Sequence, residues 1–506
     1  MSFKNEPISS SQSESDSTLE KGKAESPEAS IHLERAPEEP QLSDAHREYL
    51  LARHGRLDLN PLPSKHPEDP LNWPQWKKNV QVLMVAFHSM IATFMAAGIV
   101  PAYEGFAEAY GTDIHKSAYL TSIQIAVLGV VPFFWNPIAA RFGRRPVFVM
   151  SVFGAMLCNI GGAKCTSWAT QITTRALTAV CISPPLGIGS GVITELFFNE
   201  ERARKMGWWT LLLTLGVPSG PFFMGFVTKH IGFTWIFWIF AILNFVQLVV
   251  YIAFGAETLF PREEVMNGAT LPKTGLIPRR IGSAPLSFSG IVAPFSLARY
   301  VDVVIPALSY AIIFCYANIV IVVEMPSVFG TRYNLDAQQV GLLFISIIIG
   351  SVIGEMSAAP LTSMFLQQYE RWTGKKNPAN RLWSSYVGFL TVIVGLLVWG
   401  IRIQQAGNGV FNVTPLVGAA IASFGNQIIT TALISFAVEC HRERSSDVGV
   451  FINVFRQEIG FVGPFYFPYM FETFNFAGSA GLMCGLIVVF ALAPIAVLQF
   501  VRTRAA

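Results

Sequence analysis

Charge is scarce in this chain. Asp, Glu, Lys and Arg make up 14% of its 506 residues, where a soluble globular chain carries about 25%. Acid is scarcer still past the start: 14 of the 33 Asp and Glu lie before Asn72, leaving 19 for everything after it. No G-x-x-x-x-G-K-S/T segment occurs, so an ATP-driven pump would need its motor on another chain. Histidine is sparse and dispersed. Seven of eight (32, 46, 54, 66, 115, 230 and 441) fall in tails or loops, and His88 stands alone in an apolar run. That excludes a histidine-box di-iron enzyme and leaves no ligand set for a structural metal. A G-x-S-x-G nucleophile elbow is absent as well. Six cysteines (158, 165, 181, 315, 440 and 484) show no C-x-x-C spacing and read as buried free thiols. The net charge is +3, with basic residues dispersed over short loops, so no patch for nucleic acid forms. Met1 opens a polar stretch with no cleavable apolar leader. Neither an enzyme, a cofactor nor a nucleotide partner is expected.

What the chain has instead is apolar mass: 52% hydrophobic residues, 40 Phe and 41 Gly. Residues 1–72, rich in Ser, Glu and Pro, cannot bury enough apolar surface to offset their ordering entropy and are expected to be a disordered tail. Trp73, Trp76, Lys77 and Lys78 then suit a headgroup layer. Runs of about 20 apolar residues follow, long enough to cross a bilayer as helices. They lie near 79–102, 117–138, 146–165, 171–197, 207–228 and 233–255, and again near 302–325, 338–363, 382–403, 414–438, 447–469 and 477–501. The chain therefore divides into a tail (1–72), a first six-helix half (73–255), a polar central loop (256–301), a second six-helix half (302–501) and a short tail (502–506). With the amino terminus inside, the cytoplasmic loops and carboxyl tail hold 19 Lys and Arg, against Lys116, Lys164, Lys229, Arg332 and Arg402 outside. The positive-inside rule places both termini in the cytoplasm. The one N-x-S/T sequon, at Asn412, then falls on an outside loop close to the membrane and is a candidate for glycosylation.

Polar residues inside the runs mark candidate sites, since a charge at mid-bilayer costs about 2.5–3.5 kcal/mol on insertion scales. Arg175, in the fourth run, either snorkels to the outer headgroups or faces a cavity. In the eleventh run, Asn453 and Arg456 are three apart and share a helix face. Glu458 is about 200° round from Arg456 and cannot pair with it. It is either a proton carrier or an interhelical partner. Glu324 and Glu355 are further candidates for carrying a proton, whereas Glu104, Glu195 and Glu439 read as interfacial carboxylates and Asp302 as a helix-start residue. The tenth run carries a polar stripe of Ser423, Asn426, Gln427, Thr430, Thr431 and Ser435, and the seventh offers Tyr310, Phe314 and Asn318 at steps of four. Pro184 and Pro185 predict a break in the fourth run near mid-membrane.

Two segments are denser in special residues than helices need. The turn after the second run, Asn136-Pro-Ile-Ala-Ala-Arg-Phe-Gly-Arg-Arg-Pro146, sets Gly143 among Arg141, Arg144 and Arg145. It is either a positive-inside anchor or a clasp for carboxylates and helix ends of the opposite half. The fifth run carries Gly216, Pro218, Gly220, Pro221 and Gly225, where glycines permit close helix approach and prolines free backbone carbonyls.

With these motifs the chain resembles the major facilitator superfamily, specifically the fungal twelve-span drug:proton antiporter branch. Arg141, Gly143, Arg144 and Arg145 match that family's G-x-x-x-D-R-x-G-R-R loop, with Asn136 and Ala140 standing at its first Gly and its Asp. The fifth-run glycines and prolines match its antiporter signature, and Arg175 matches its fourth-run arginine, with Val180 where a Gly follows. His66-Pro-Glu-Asp-Pro-Leu-Asn-Trp-Pro74 is similar to the lead-in of fungal members. The resemblance covers about 66–501. It implies an all-α polytopic fold of twelve transmembrane helices in two halves, with the first, fourth, seventh and tenth runs lining a central cavity. It also implies alternating access and export of a small organic molecule (a drug, toxin or secondary metabolite) against protons; the plasma membrane is the expected location, with the vacuolar membrane the alternative. A proton-coupled importer or facilitator of a nutrient is the alternative, and a transporter-like receptor a more distant one.

Overall fold

In a computed structural model of the chain, residues 43–266, 292–374, 377–406, 411–441 and 444–504 are described, and every regular element among them is helical. Lys273, Arg279, Arg280, Lys375, Lys376, Arg442 and residues 1–42 of the expected tail lie outside the described residues. Ten helical stretches among the described residues are long and apolar enough to cross a bilayer. The count is eleven when Ile114–Val130 and Pro132–Phe142, bent by 44°, are taken as one. The final stretch, Ser445–Arg504, has 60 residues; straight, it would reach about 90 Å, three hydrocarbon thicknesses. It folds back at Asn475, whose φ of 55° and ψ of 175° interrupt the helix. Ser479 Oγ thereby donates to Met470 O at 2.9 Å, and the two ends, at Arg444 and Arg502, both reach residues 293–302.

The expected runs coincide with these helices, and their breaks have local causes. Pro101 lacks an N–H, and the first helix, Gln75–Ala97, stops before it and resumes as Tyr103–Tyr110. The fourth run breaks as predicted, at Ser183 between Trp168–Ile182 and Pro184–Leu196. Asn199–Ile231 is an unbroken 33-residue helix despite Pro218 and Pro221. Glu200 and Glu201 in its first turn, and Lys229 and His230 in its last, complement its dipole. Outward faces are apolar, with Phe153, Leu157, Phe245, Val249, Leu390 and Phe490 exposed, as lipid contact requires.

The expectation of disorder up to residue 72 is corrected for its last part. Asp44–His54 is a helix closed by Gly55, at φ 70°. Residues 58–72 are held by polar bonds together with the burial of Leu59 and Leu71. Asp69, fully buried, accepts from Ser64 N and Oγ at 2.8 and 2.9 Å and from Leu71 N at 3.0 Å. Asn60 O accepts from Asn199 N at 3.0 Å. Lys78, expected at the headgroups, is instead 2% exposed and donates to Leu71 O at 2.8 Å.

The halves meet in two seams. One joins the second and eleventh runs: Gly129 lets Gln457 and Glu458 approach so closely that a Cβ there would lie 2.8 Å from Glu458 Oε1, and Tyr119 stacks on Phe465 at 4.6 Å. The other joins the fifth and eighth runs, where Gly225 faces Gly341 Cα at 2.9 Å from its would-be Cβ. Beyond it Lys229 Nζ pairs with Asp336 at 3.1 Å. On the arginine-rich side, Phe133 stacks on Phe295 at 4.7 Å.

Candidate functional site

Between the two seams lies a cavity. Its first-half wall is Thr93, Ala96 and Ala97 from the first run, Thr121, Ile125 and Leu128 from the second, and Leu213, Thr214 and Val217 from the fifth. The second half contributes Tyr310, Phe314, Asn318, Ile319, Val322 and Val323 from the seventh, Asn426 from the tenth, and Arg456 and Gln457 from the eleventh. The expected lining by the first, fourth, seventh and tenth runs is thus corrected. The fourth run is absent from the wall, and the second, fifth and eleventh take part. Pro184, fully buried in relation to its neighbours as Pro185 is, belongs to the helix break and not to the cavity.

Arg456 is 8% exposed. Its Nη2 donates to Asn453 Oδ1 at 2.7 Å and its Nη1 to Tyr310 OH at 3.2 Å, while Nε has no partner among the described residues. Phe314 lies 4.9 Å from the guanidinium carbon. Asn453 in turn donates to Leu128 O across the seam at 3.2 Å. The two residues that share a face on sequence grounds thus act as a pair, and Tyr310 and Phe314 join them from the seventh run. A π-turn over Cys315–Ile319 bulges that run beside the cavity.

The other candidates separate into three groups. Glu355 and Gln427 form a relay outside the wall: Gln427 Nε2 donates to Glu355 Oε2 at 3.3 Å and to Thr214 Oγ1 at 2.9 Å, tying the eighth and tenth runs to the first half. Asn426 and Asn318 line the cavity, each with a buried Oδ1 lacking a partner, and Thr430 bonds back to Asn426 O at 2.7 Å. Glu458 lies against Gly129 in the seam, facing away from Arg456 as their spacing requires. Glu324, 3% exposed, accepts from Ser327 Oγ at 2.6 Å where the seventh run breaks. It lies within electrostatic reach of Tyr103 and His115 of the first half.

Arg175 follows neither sequence alternative. It is 1% exposed and donates to Met95 O, Ala96 O and Leu120 O at 2.8, 2.9 and 3.3 Å. Met95 and Ala96 are in the last turn before the first-run break, whose carbonyls have no helical N–H to accept. Arg175 caps that helix end, with favourable dipole charge, directly behind the wall residues Ala96 and Ala97.

The arginine loop clasps carboxylates, but those of its own half, which corrects the expected reach to the opposite one. Arg144 Nη2 pairs with Glu195 Oε1 at 2.8 Å, and Glu195 Oε2 accepts from Thr258 Oγ1 at 2.9 Å. Glu257 accepts from the backbone N–H of Arg144 and Arg145 at 2.8 and 3.0 Å, at the start of the third-run helix. Burial pushes the Glu257 carboxyl above its ordinary value, and these N–H groups oppose the rise. Gly143, at φ 97°, makes the turn, and Arg141 lies over Phe142 at 5.7 Å. Of the remaining charges, Asp302 pairs with Arg502, Nε to Oδ1 at 2.8 Å, and Glu439 with Arg381. Asn412 Oδ1 accepts from Thr414 N at 2.9 Å, beginning the tenth-run helix.

In the glycine- and proline-rich segment of the fifth run, Gly216 sits against Thr93 and Met90 of the first run, and a Cβ on Gly220 would meet Phe94 O at 2.5 Å. Gly225 faces the other half. Pro218 and Pro221 lie inside the helix between these contacts. Sequence reasoning missed Thr93, Thr121 and Thr214 in the wall. A lone threonine in an apolar run gives no signal, since most bond back to their own helix.

The comparisons with known proteins agree with this architecture. Efflux pump vrtL of Penicillium aethiopicum is 26% identical over 471 residues, covering 89% of each chain. MFS transporter fsa7 of Fusarium sp. is 26% identical over 375 residues, covering 72% of each. Among solved structures, the peptide transporter POT in complex with alafosfalin superposes with a TM-score of 0.61 at 15% identity, covering 85% of this chain and 96% of that one. The human organic anion transporter MFSD10 does so with 0.59 at 14%, covering 84% and 100%; at such identity both speak to the fold alone. Residues 83–464 match the sequence profile of the Major Facilitator Superfamily. The chain is a multi-pass membrane transporter belonging to that family.

Proposed function

We propose that this transporter is a proton-coupled antiporter exporting small organic molecules by alternating access, with twelve crossings and both termini cytoplasmic at the plasma membrane. The observation that carries the reading is a cavity walled by both halves between two seams. Rocking of the halves about such a cavity exposes it to one side at a time. Twelve crossings follow from the ten long stretches when the bent pair is added and the Asn475 hairpin is counted twice. Relatives named as efflux pumps support the outward direction.

Glu355 is the proton carrier in this reading. Among the described residues its carboxylate accepts one hydrogen bond, from Gln427, and no cation pairs with it. Gln427 Nε2 is shared between Glu355 and Thr214. Protonation weakens the carboxylate as an acceptor and shifts the amide toward Thr214, so the proton acts on a contact that spans the halves. Glu458 and Glu324 lie in contacts between runs and serve packing in this scheme. The reading is tested with purified protein in sealed liposomes carrying an internal pH dye, challenged with a panel of amphipathic organic compounds. Proton movement on adding one compound, lost in Glu355→Gln, is the expected result. Solute flux without proton movement would sink the coupling, and flux down the proton gradient together with protons would make the protein an importer.

A further inference from the structure

The cavity contains one charge, and it is positive. Its wall includes no carboxylate, and among the described residues none lies within ion-pair distance of Arg456, whose hydrogen-bond partners are the neutral Tyr310 and Asn453. Arg175 has the carbonyls of a helix end to face; among the described residues Arg456 has no such set, and its buried Nε has no partner. A desolvated cation without a counter-charge is costly, and an anion entering the cavity relieves that cost. A cationic molecule would meet the guanidinium at low dielectric and be repelled.

We infer that the substrate is an amphipathic organic anion, a flat or aromatic body bearing one carboxylate that binds Arg456 between Tyr310 and Phe314. The inference rests on the reading of this cavity as the transport site. Tyr310 and Asn453 hold the guanidinium from two sides, so its orientation is fixed before the carboxylate arrives. Phe314, 4.9 Å from the guanidinium carbon, and Ile125, Leu128 and Val322 supply apolar surface for the body. The unpaired Oδ1 atoms of Asn318 and Asn426 suit a hydroxyl or N–H on the same molecule.

The test uses the full chain in lipid nanodiscs and naphthyl, biphenyl and anthracenyl probes, each as the carboxylate, the carboxamide and the methylammonium. At least one carboxylate is expected to bind tenfold or more tightly than its amide, with the ammonium weaker still. Arg456→Gln should bring carboxylate and amide to equal affinity, and Arg456→Lys should keep part of the preference, since a point charge replaces the planar fork. Should Arg456→Gln not fold, Tyr310→Phe, which frees Nη1 and keeps the ring, should cut the ratio of carboxylate to amide affinity several-fold. An amide or ammonium bound as tightly as the carboxylate, a preference that survives Arg456→Gln, or no carboxylate binding at all would overturn the inference. Liposome flux of the same probes separates the two readings. Flux of amides or ammoniums alone leaves a transporter without an anion site, whereas carboxylate binding without flux leaves an anion site that is not a transport site.

Discussion

Two arginines lie inside apolar runs, and they differ in what each guanidinium finds. Arg175 finds three backbone carbonyls at the end of a broken helix and on its neighbour. Replacing it with methionine strands those acceptors, at about 1–3 kcal/mol for a buried unsatisfied group. Arg175→Met is therefore expected to lower the melting temperature in detergent, and Arg175→Lys to recover part of it; an unchanged melting curve would contradict the capping role. Glu355→Gln addresses a different property. The amide keeps the shape beside Gln427 but cannot change charge, so substrate binding should persist while flux no longer responds to the pH gradient. Binding titrations and dye-loaded liposomes measured on one preparation decide this. The sequence marked both arginines as costly and gave no means to tell them apart. Arg456's nearest partner is three residues away, whereas Arg175's acceptors are main-chain atoms 55 to 80 residues distant, which no side-chain pattern encodes.

Helices in this chain approach one another through missing side chains, and the glycines of the fifth run serve two interfaces. Gly216 and Gly220 fit the first run inside one half, and Gly225 fits Gly341 of the other. A leucine at Gly220 should destabilise the fold, because Phe94 O occupies the place of its Cβ. Leucine at Gly225 should leave the halves folded and hold them apart. The check is a disulfide cross-link between Lys229→Cys and Asp336→Cys: it should fall in the Gly225→Leu background while the melting temperature stays near that of the parent. Equal loss of stability at both positions would deny this division of labour. Run lengths, the Pro184 break and the gap between the last two runs were legible because apolar length and proline act locally. The order of residues 58–72 was not, because it rests on the bonds Asp69 makes with Ser64 and Leu71 and on the burial of single residues such as Leu59 and Leu71, which a composition averaged over the whole tail does not register.

At the scale of the molecule, Lys229–Asp336 is, among the described residues, the ion pair that joins the halves outside the runs. The N–H of Gln339 first, and Lys229 after it, hold the Asp336 carboxyl below its ordinary value of 3.8. A depressed value means that the contribution is present above the unfolded value and lost as pH falls through the folded one. This contact should thus be constant between pH 7 and pH 5 and weaken only below about pH 4, and being half exposed it contributes little. Spectroscopic distances between labels at positions 228 and 338 would show it. A change between pH 7 and pH 5 would mean that a group within the runs, and not this pair, moves the halves. Twofold organisation was foreshadowed by the six-loop-six pattern, whereas the identity of the runs forming the seams and the wall depends on helix rotation, which the weak amphipathicity of these runs leaves open.

The reversal at Asn475 bears on how the chain is made. The turn is made at one residue, Asn475, and helical chain runs on either side of it, with no long polar stretch between the last two helices. During synthesis the eleventh and twelfth runs therefore have to be delivered to the bilayer as a hairpin in one insertion event, and the ribosome must have released both before either can take its final place.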